Sequence, residues 1–201
     1  QRVVEFARQD LIDTAHEIGI ELPSNIGDVV YSFRYRRDLP DAIARTCLPS
    51  ETWYIFPVGR SKYRFERRAA TPIVPRGNFQ QIKILDSTPE IIRRYALSDE
   101  QALLAIVRYN RLIDIFLSIT AHSLQSHMRT TVVDVGQIET DEVHVGVDSG
   151  GVHYVVPVQA KGGSDELGSV QTEQDLAWAW LKFPDLVARA VGVQFASDDV
   201  I

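Results

Sequence analysis

A chain of 201 residues, 45% hydrophobic, can bury one large or two small cores, and its single cysteine, Cys47, excludes an internal disulfide or a cysteine-built zinc site. No apolar run is long enough to span a membrane and no signal peptide is visible, so a cytoplasmic protein is expected. The net charge of −6 would count against a nucleic-acid partner if it were evenly spread, but residues 1–95 hold 15 Lys and Arg against 12 Asp and Glu, whereas 96–201 hold 6 against 15.

In chain order, Val4, Ala7, Leu11, Ala15 and Ile18 recur at helical spacing, which predicts a helix over Val3–Ile18 stopped by Gly19. A second helix is expected from an N-cap at Ser24 or Asn25 through Phe33, ending in Arg34, Arg36 and Arg37, and a short third after Pro40. Thr52–Phe56 reads as a strand, residues 58–61 as a turn and Lys62–Arg67 as the returning strand. Arg34, Arg36, Arg60, Lys62 and Arg64, interleaved with Trp53, Tyr54, Tyr63 and Phe65, form a candidate DNA-contacting surface. In element order and charge this region resembles a winged-helix module. Residues 71–84 are expected to form irregular strands, with a domain boundary between Asp86 and Leu97, giving domains of 1–95 and 96–201.

Ser98-Asp99-Glu100-Gln101 has the form of a capping box, and the helix it opens is predicted to run through Leu103, Val107, Leu112, Ile115 and Leu117 to about His122 or Leu124. Asp114 is an uncommon charge in that apolar company; a structural partnership with Arg111 or Arg108 is the plainer reading. His122 and His127 read as structural, or as contacts made with Arg129, rather than as ligands. Thr131–Val135 alternates as the first core strand.

The centre of the chain is a hairpin. Val143–Val147 and Val152–Val158 are β-branched strands, and Ser149-Gly150-Gly151 turns one back on the other, with Asp148 at the tip. His144 and His153 are expected to pair across it. Glu139 and Asp141 lie two residues apart at the start of the first strand, Gln159 and Lys161 two apart at the end of the second, so antiparallel pairing brings the four to one end. A helix over Val170–Lys182 follows, with Gln171, Gln174 and Asp175 on one face and Trp178 and Trp180 as core anchors, then a strand over Arg189–Ala196. The last residues carry no convincing stop signal, as expected of a fragment.

Asp141, a glycine-turned hairpin, and Gln159-Ala160-Lys161 followed by a helix resemble the PD-(D/E)xK nuclease superfamily, the fold group of many type II restriction endonucleases. The resemblance implies an α/β, restriction-endonuclease-like core of helix, three strands, helix and strand over 96–201. It implies that Asp141 and Gln159 hold a divalent cation, Mg2+ with Mn2+ as substitute, and that Lys161 orients or activates the attacking water. Gln171, and an acid on the helix before the sheet for which Asp114 is the candidate, are second-rank site residues by the same resemblance. Thr140 stands where the family has proline, and Gln159 where it has glutamate; a neutral amide binds a hard cation less strongly, so Glu139 or Glu142 is expected to supply charge.

The expected function is magnesium-dependent endonuclease cleavage of double-stranded DNA, restriction-type, by a homodimer. The rival is a non-catalytic DNA-binding regulator working through the basic hairpin, and a third reading is an interaction domain without nucleic acid.

Overall fold

Val3–Ala7 is a strand, β1, and the first helix, α1, begins only at Arg8 and ends at Glu17. The helical spacing of Val4 and Ala7 misleads there because Val3, Val4 and Phe6 also suit a strand, and a hairpin edge is on hand to pair with them. The computed structural model describes residues 2–35, 37–71, 73, 80–96, 100–132, 136–162, 167–195 and 201.

The chain divides into two units, one of residues 1–71 with 131–137 and one of 72–130 with 138–201. In the first, α2 (Ile26–Tyr35) and α3 (Asp41–Ala44) precede the hairpin of β2 (Glu51–Gly59) and β3 (Lys62–Ala69). Asn25 accepts the backbone N–H of Gly27 at the start of α2, the capping role its type predicts. β1 lies antiparallel to β3, giving the order β1-β3-β2. Val30, Ile55 and Tyr63 are the core, joined by Phe6, Leu11, Phe33 and Phe65.

The second unit adds α4 (Glu90–Tyr95), which the sequence reading did not anticipate, then α5 (Glu100–Tyr109) and α6 (Leu112–Leu117). One continuous helix was expected across α5 and α6. Instead Arg111 takes a left-handed conformation, and Asn110 fixes the break: its Nδ2 donates to the Ile106 carbonyl, Thr88 and Asp86, while its Oδ1 accepts from the Ser87 N–H. A buried amide spent on the last turn and on residues 86–88 ends the helix in place of a glycine cap. His122 and Leu124 therefore belong not to a helix but to a long strand, β4 (Thr120–Val132). Of residues expected to form irregular strands, 80–84 have no regular structure, Ile73 makes a single bridge to Leu167, and Pro72 with 74–79 lies outside the described residues. The expected capping box also falls there, apart from Glu100 and Gln101, and so do residues 133–135.

β5 (Gly136–Val147) and β6 (His153–Lys161) form the predicted antiparallel hairpin, His144 opposite Val156 and His153 opposite Val147. The two histidines do not pair, because the register set by the turn offsets them. Asp148 is the turn residue expected: its Oδ1 accepts the N–H groups of Gly150 and Val152, its Oδ2 the Tyr154 hydroxyl. α7 (Ser169–Lys182) leads to β7 (Val187–Ala188) and β8 (Val191–Gln194), both parallel to β6. The sheet is thus mixed, in the order β4-β5-β6 with β7 and β8 beyond.

Val156, Val158 and Ala160 of β6 pack with Leu103, Leu104 and Val107 of α5, while Gln159 meets α7. Since successive strand residues point to opposite faces, α5 and α7 cover the two faces of β6. Leu103 and Leu104 are fully buried, each contributing about 1.5–3 kcal/mol. Trp178 is a core residue, edge-on to Phe183, but Trp180 is exposed. The described fold is mixed α/β, with no helix long and apolar enough to cross a membrane among the described residues.

Candidate functional site

The regular β5–β6 ladder ends at the pair Glu142–Val158, and beyond it the side chains of the hairpin ends take over the backbone's hydrogen bonding. Asp141 Oδ2 accepts the Ala160 N–H at 2.8 Å. Gln159, buried, donates through Nε2 to the Glu139 carbonyl at 3.0 Å and to Asp175 Oδ2 of α7 at 2.8 Å. The other oxygen of Asp175 accepts the hydroxyl of fully buried Thr140 at 2.5 Å. Gln171, one helical turn before Asp175, reaches Gln159 Oε1 at 3.5 Å. Gln159 Oε1, met only by that long contact, keeps a lone pair to offer.

The electrostatics of this end are those of crowded acids. Burial pushes the Asp141 carboxyl up, against the Ala160 N–H and the Lys161 ammonium, and Glu100 and Glu139 push it further up. Asp175 is raised to about 6, chiefly by burial and also by the charge of Asp141, against the Thr140 and Gln159 bonds and Lys161. Asp141 thus stands within reach of three other acids and of the Lys161 ammonium, a setting a cation would relieve.

Asp141, Gln159 and Lys161 are brought together, with Gln171 on the rim. Glu139 is near Asp141 but its carboxylate is held by Arg129 at 2.7 Å, so its backbone carbonyl does more for the site than its charge. Glu142 is not available to the site: fully buried, it accepts the Ser123 hydroxyl and Arg108 Nη1 at 3.3 Å, with His144 Nε2 3.5 Å away. Burial pushes its carboxyl up, but His144, Ser123 and Arg108 outweigh that and hold it below the ordinary range. Asp114 is a structural residue, bonded to Arg111 and to the Ala121 N–H.

No protein-family model, curated protein or solved structure matches the chain.

Two acids were missed as site residues. Asp175 was placed on the right helical face, but a polar pair on a helix reads as solvent-exposed, and only packing against β6 shows that Gln174 and Asp175 are buried. Glu100 reads in the sequence as part of a capping box; its carboxyl carbon stands 4.0 Å from where a Cβ on Gly162 would lie, next to Lys161. Among the described residues no three His, Cys, Asp or Glu side chains converge as a metal cage. A hydrated Mg2+ keeps several waters and needs only one or two carboxylates, so Asp141 and the amide oxygen of Gln159 are the donors these residues could offer it.

The basic hairpin of the first unit is largely self-neutralised. Arg64 and Arg68 both pair with Glu66, and Arg67 with Glu51 at 2.9 Å. Trp53 lies edge-on to Phe65 and Tyr63 is buried, so these aromatics pack inward and are not presented for base stacking. Arg60 and Lys62, at the turn, remain exposed; Arg34 is partnered, and Arg36 lies outside the described residues.

Proposed function

We propose that the second unit is a magnesium-dependent phosphodiesterase of the PD-(D/E)xK type, cutting duplex DNA as a restriction-type endonuclease. The reading rests on one observation: Asp141, Gln159 and Lys161 meet where β5 and β6 part, among carboxylates whose repulsion an ion would remove. Asp141 and Gln159 Oε1 would hold Mg2+. When bound, the ion would neutralise charge on the phosphate and lower the pKa of a water. Lys161 supplies a mobile positive point charge that orients the attacking water and the phosphate oxygen. Asp175 and Glu139 hold Gln159 with its oxygen toward Gln171, and Glu100, from the helix before the sheet, takes the role the sequence reading offered to Asp114.

The first unit, a strand, three helices and a hairpin with β1 laid on β3, is read as a winged-helix-like module although its strand precedes the first helix, and Arg60 and Lys62 are its proposed phosphate contacts. A homodimer would allow both strands to be cut. Incubation with supercoiled plasmid tests the enzyme: nicking that needs Mg2+ or Mn2+ and disappears in Lys161→Ala and Asp141→Ala is expected, and metal-independent nicking or full activity in either variant refutes it. A second reading, a DNA-binding regulator that has lost catalysis, is favoured by the neutral Gln159 whose amide is committed to Asp175; it predicts a gel shift in chelator and no nicking.

A further inference from the structure

At the other end of α5 from Glu100, eight residues and about 12 Å along the helix, lies a cavity of about 160 Å³ that the proposed nuclease chemistry does not use. Arg108 closes α5, Arg111 sits at the break before α6, His122 and Ser123 come from β4 and His144 from β5; Asp114 and apolar Val107, Ile113 and Ala121 complete its wall.

The lining carries two guanidiniums and one carboxylate, and that carboxylate is already engaged by Arg111 and the Ala121 N–H. Each guanidinium has five N–H donors and uses only some of them: Arg108 on Glu142 and Ser126, Arg111 on Asp114. His144 is the second, independent sign of a ligand. Its side chain is 5% exposed; Nε2 faces Glu142 Oε1 at 3.5 Å, while Nδ1 is buried with no hydrogen-bond partner. A buried imidazole left in that state is costly, and the cavity it borders is where a partner can enter.

We propose that this cavity binds a phosphate group, taken up by Arg108 and Arg111, with His144 donating to it as Glu142 steadies the opposite ring nitrogen. Bidentate guanidiniums suit tetrahedral oxyanions, and charge assistance shortens and strengthens such bonds. The groups facing His144 are Glu142 on its own strand, Arg108 on α5, Arg111 and Asp114 around the α6 start, and His122 on β4. No covalent step is involved.

The test titrates inorganic phosphate, and separately methyl phosphate, into the whole chain at fixed ionic strength, reading heat and the ring signals of His144 among the five histidines in 1H–15N spectra, assigned with His144→Gln. Saturable binding that moves the His144 signals is expected. It should weaken at least about tenfold in Arg111→Gln, an exposed and foldable position, and stay unchanged in Lys161→Ala, which separates it from the nuclease centre. Tighter binding of the ester than of orthophosphate assigns the site to a terminal phosphate, the reverse to the free ion. Absence of saturable binding, unmoved wild-type His144 signals, or binding lost in Lys161→Ala overturns the proposal.

Discussion

Asp175 and Gln159 come from different elements, α7 and β6, and the amide Nε2 of Gln159 donates to Asp175 Oδ2 across 2.8 Å with both side chains buried. This bond locks the helix to the strand that carries Lys161 and fixes the Gln159 amide with its Oε1 toward Gln171. It does so with an acid that burial makes reluctant to ionise, so the geometry of the site and the stability of the fold are linked through one proton.

That link gives a pH dependence with a definite sign. The Asp175 carboxyl is raised from 3.8 to about 6, so the stability gained from its protonated form is complete below pH 3.8 and is lost as pH rises through 6. The shift is worth about 3 kcal/mol. Asp175→Asn should flatten the stability curve between pH 4 and 7 relative to the parent, measured by urea unfolding at each pH. Because Asn can still accept from Gln159 Nε2 through its Oδ1 while its Nδ2 donates to the Thr140 hydroxyl, cleavage should be retained while stability at pH 8 rises. Equal pH slopes in the two proteins would remove Asp175 from this role.

Crowding of Asp141 by Glu100 and Glu139 predicts stabilisation by divalent cations. Mg2+ at about 100 times its dissociation constant should add about 2.7 kcal/mol to the unfolding free energy, removed again by chelator. Asp141→Asn should abolish the response and yet be no less stable without metal, since it keeps an acceptor for the Ala160 N–H and loses the repulsion. Thermal melts with and without Mg2+ check this; an unchanged response in the variant would place the ion elsewhere.

The hairpin and α7 were legible because their signals are local: β-branched alternation, a Ser-Gly-Gly turn with Asp148, and apolar residues at helical spacing. β1 and the α5–α6 break were not, because each is decided by a distant partner. Val3–Ala7 becomes a strand through β3, about 60 residues on, and α5 stops because Asn110 spends its amide on residues 86–88 as well as on Ile106. The site followed the same division. Asp141, Gln159 and Lys161 could be brought together from strand period alone, whereas Asp175 and the inward turn of Glu142 depend on which helix covers which face.

Gly136 tests the packing at the start of β5. Its φ of +92° is one that L side chains rarely adopt, and an added Cβ would lie 2.6 Å from the Pro57 Cβ, a ring that cannot swing aside. Gly136→Ala should therefore cost about 2–4 kcal/mol, strain and overlap together. Gly151→Ala, at φ +82° with open space around it, should cost only about 1 kcal/mol. Urea midpoints rank the two; equal losses would contradict the tight contact at Pro57.

If the first unit holds DNA, its charges are not equal contributors. Arg67 pairs with Glu51 and lies 5.9 Å from the Trp53 ring centre, while Arg64 and Arg68 share Glu66, so drawing any of them to a phosphate would break an existing partnership. Arg60 and Lys62 are exposed at the hairpin turn, with side chains able to reach a phosphate and release its condensed counterions. The double variant Arg60→Ala, Lys62→Ala should lower the slope of log affinity against log salt by about 2, uniformly across DNA sequences, with no loss of stability. Arg67→Ala should instead lower the unfolding midpoint and leave the slope unchanged. Fluorescence anisotropy of a labelled duplex from 50 to 200 mM salt measures both. A slope that responds to Arg67 but not to Arg60 and Lys62 would move the contact to the sheet face, where the paired arginines would have to give up Glu51 and Glu66 to bind.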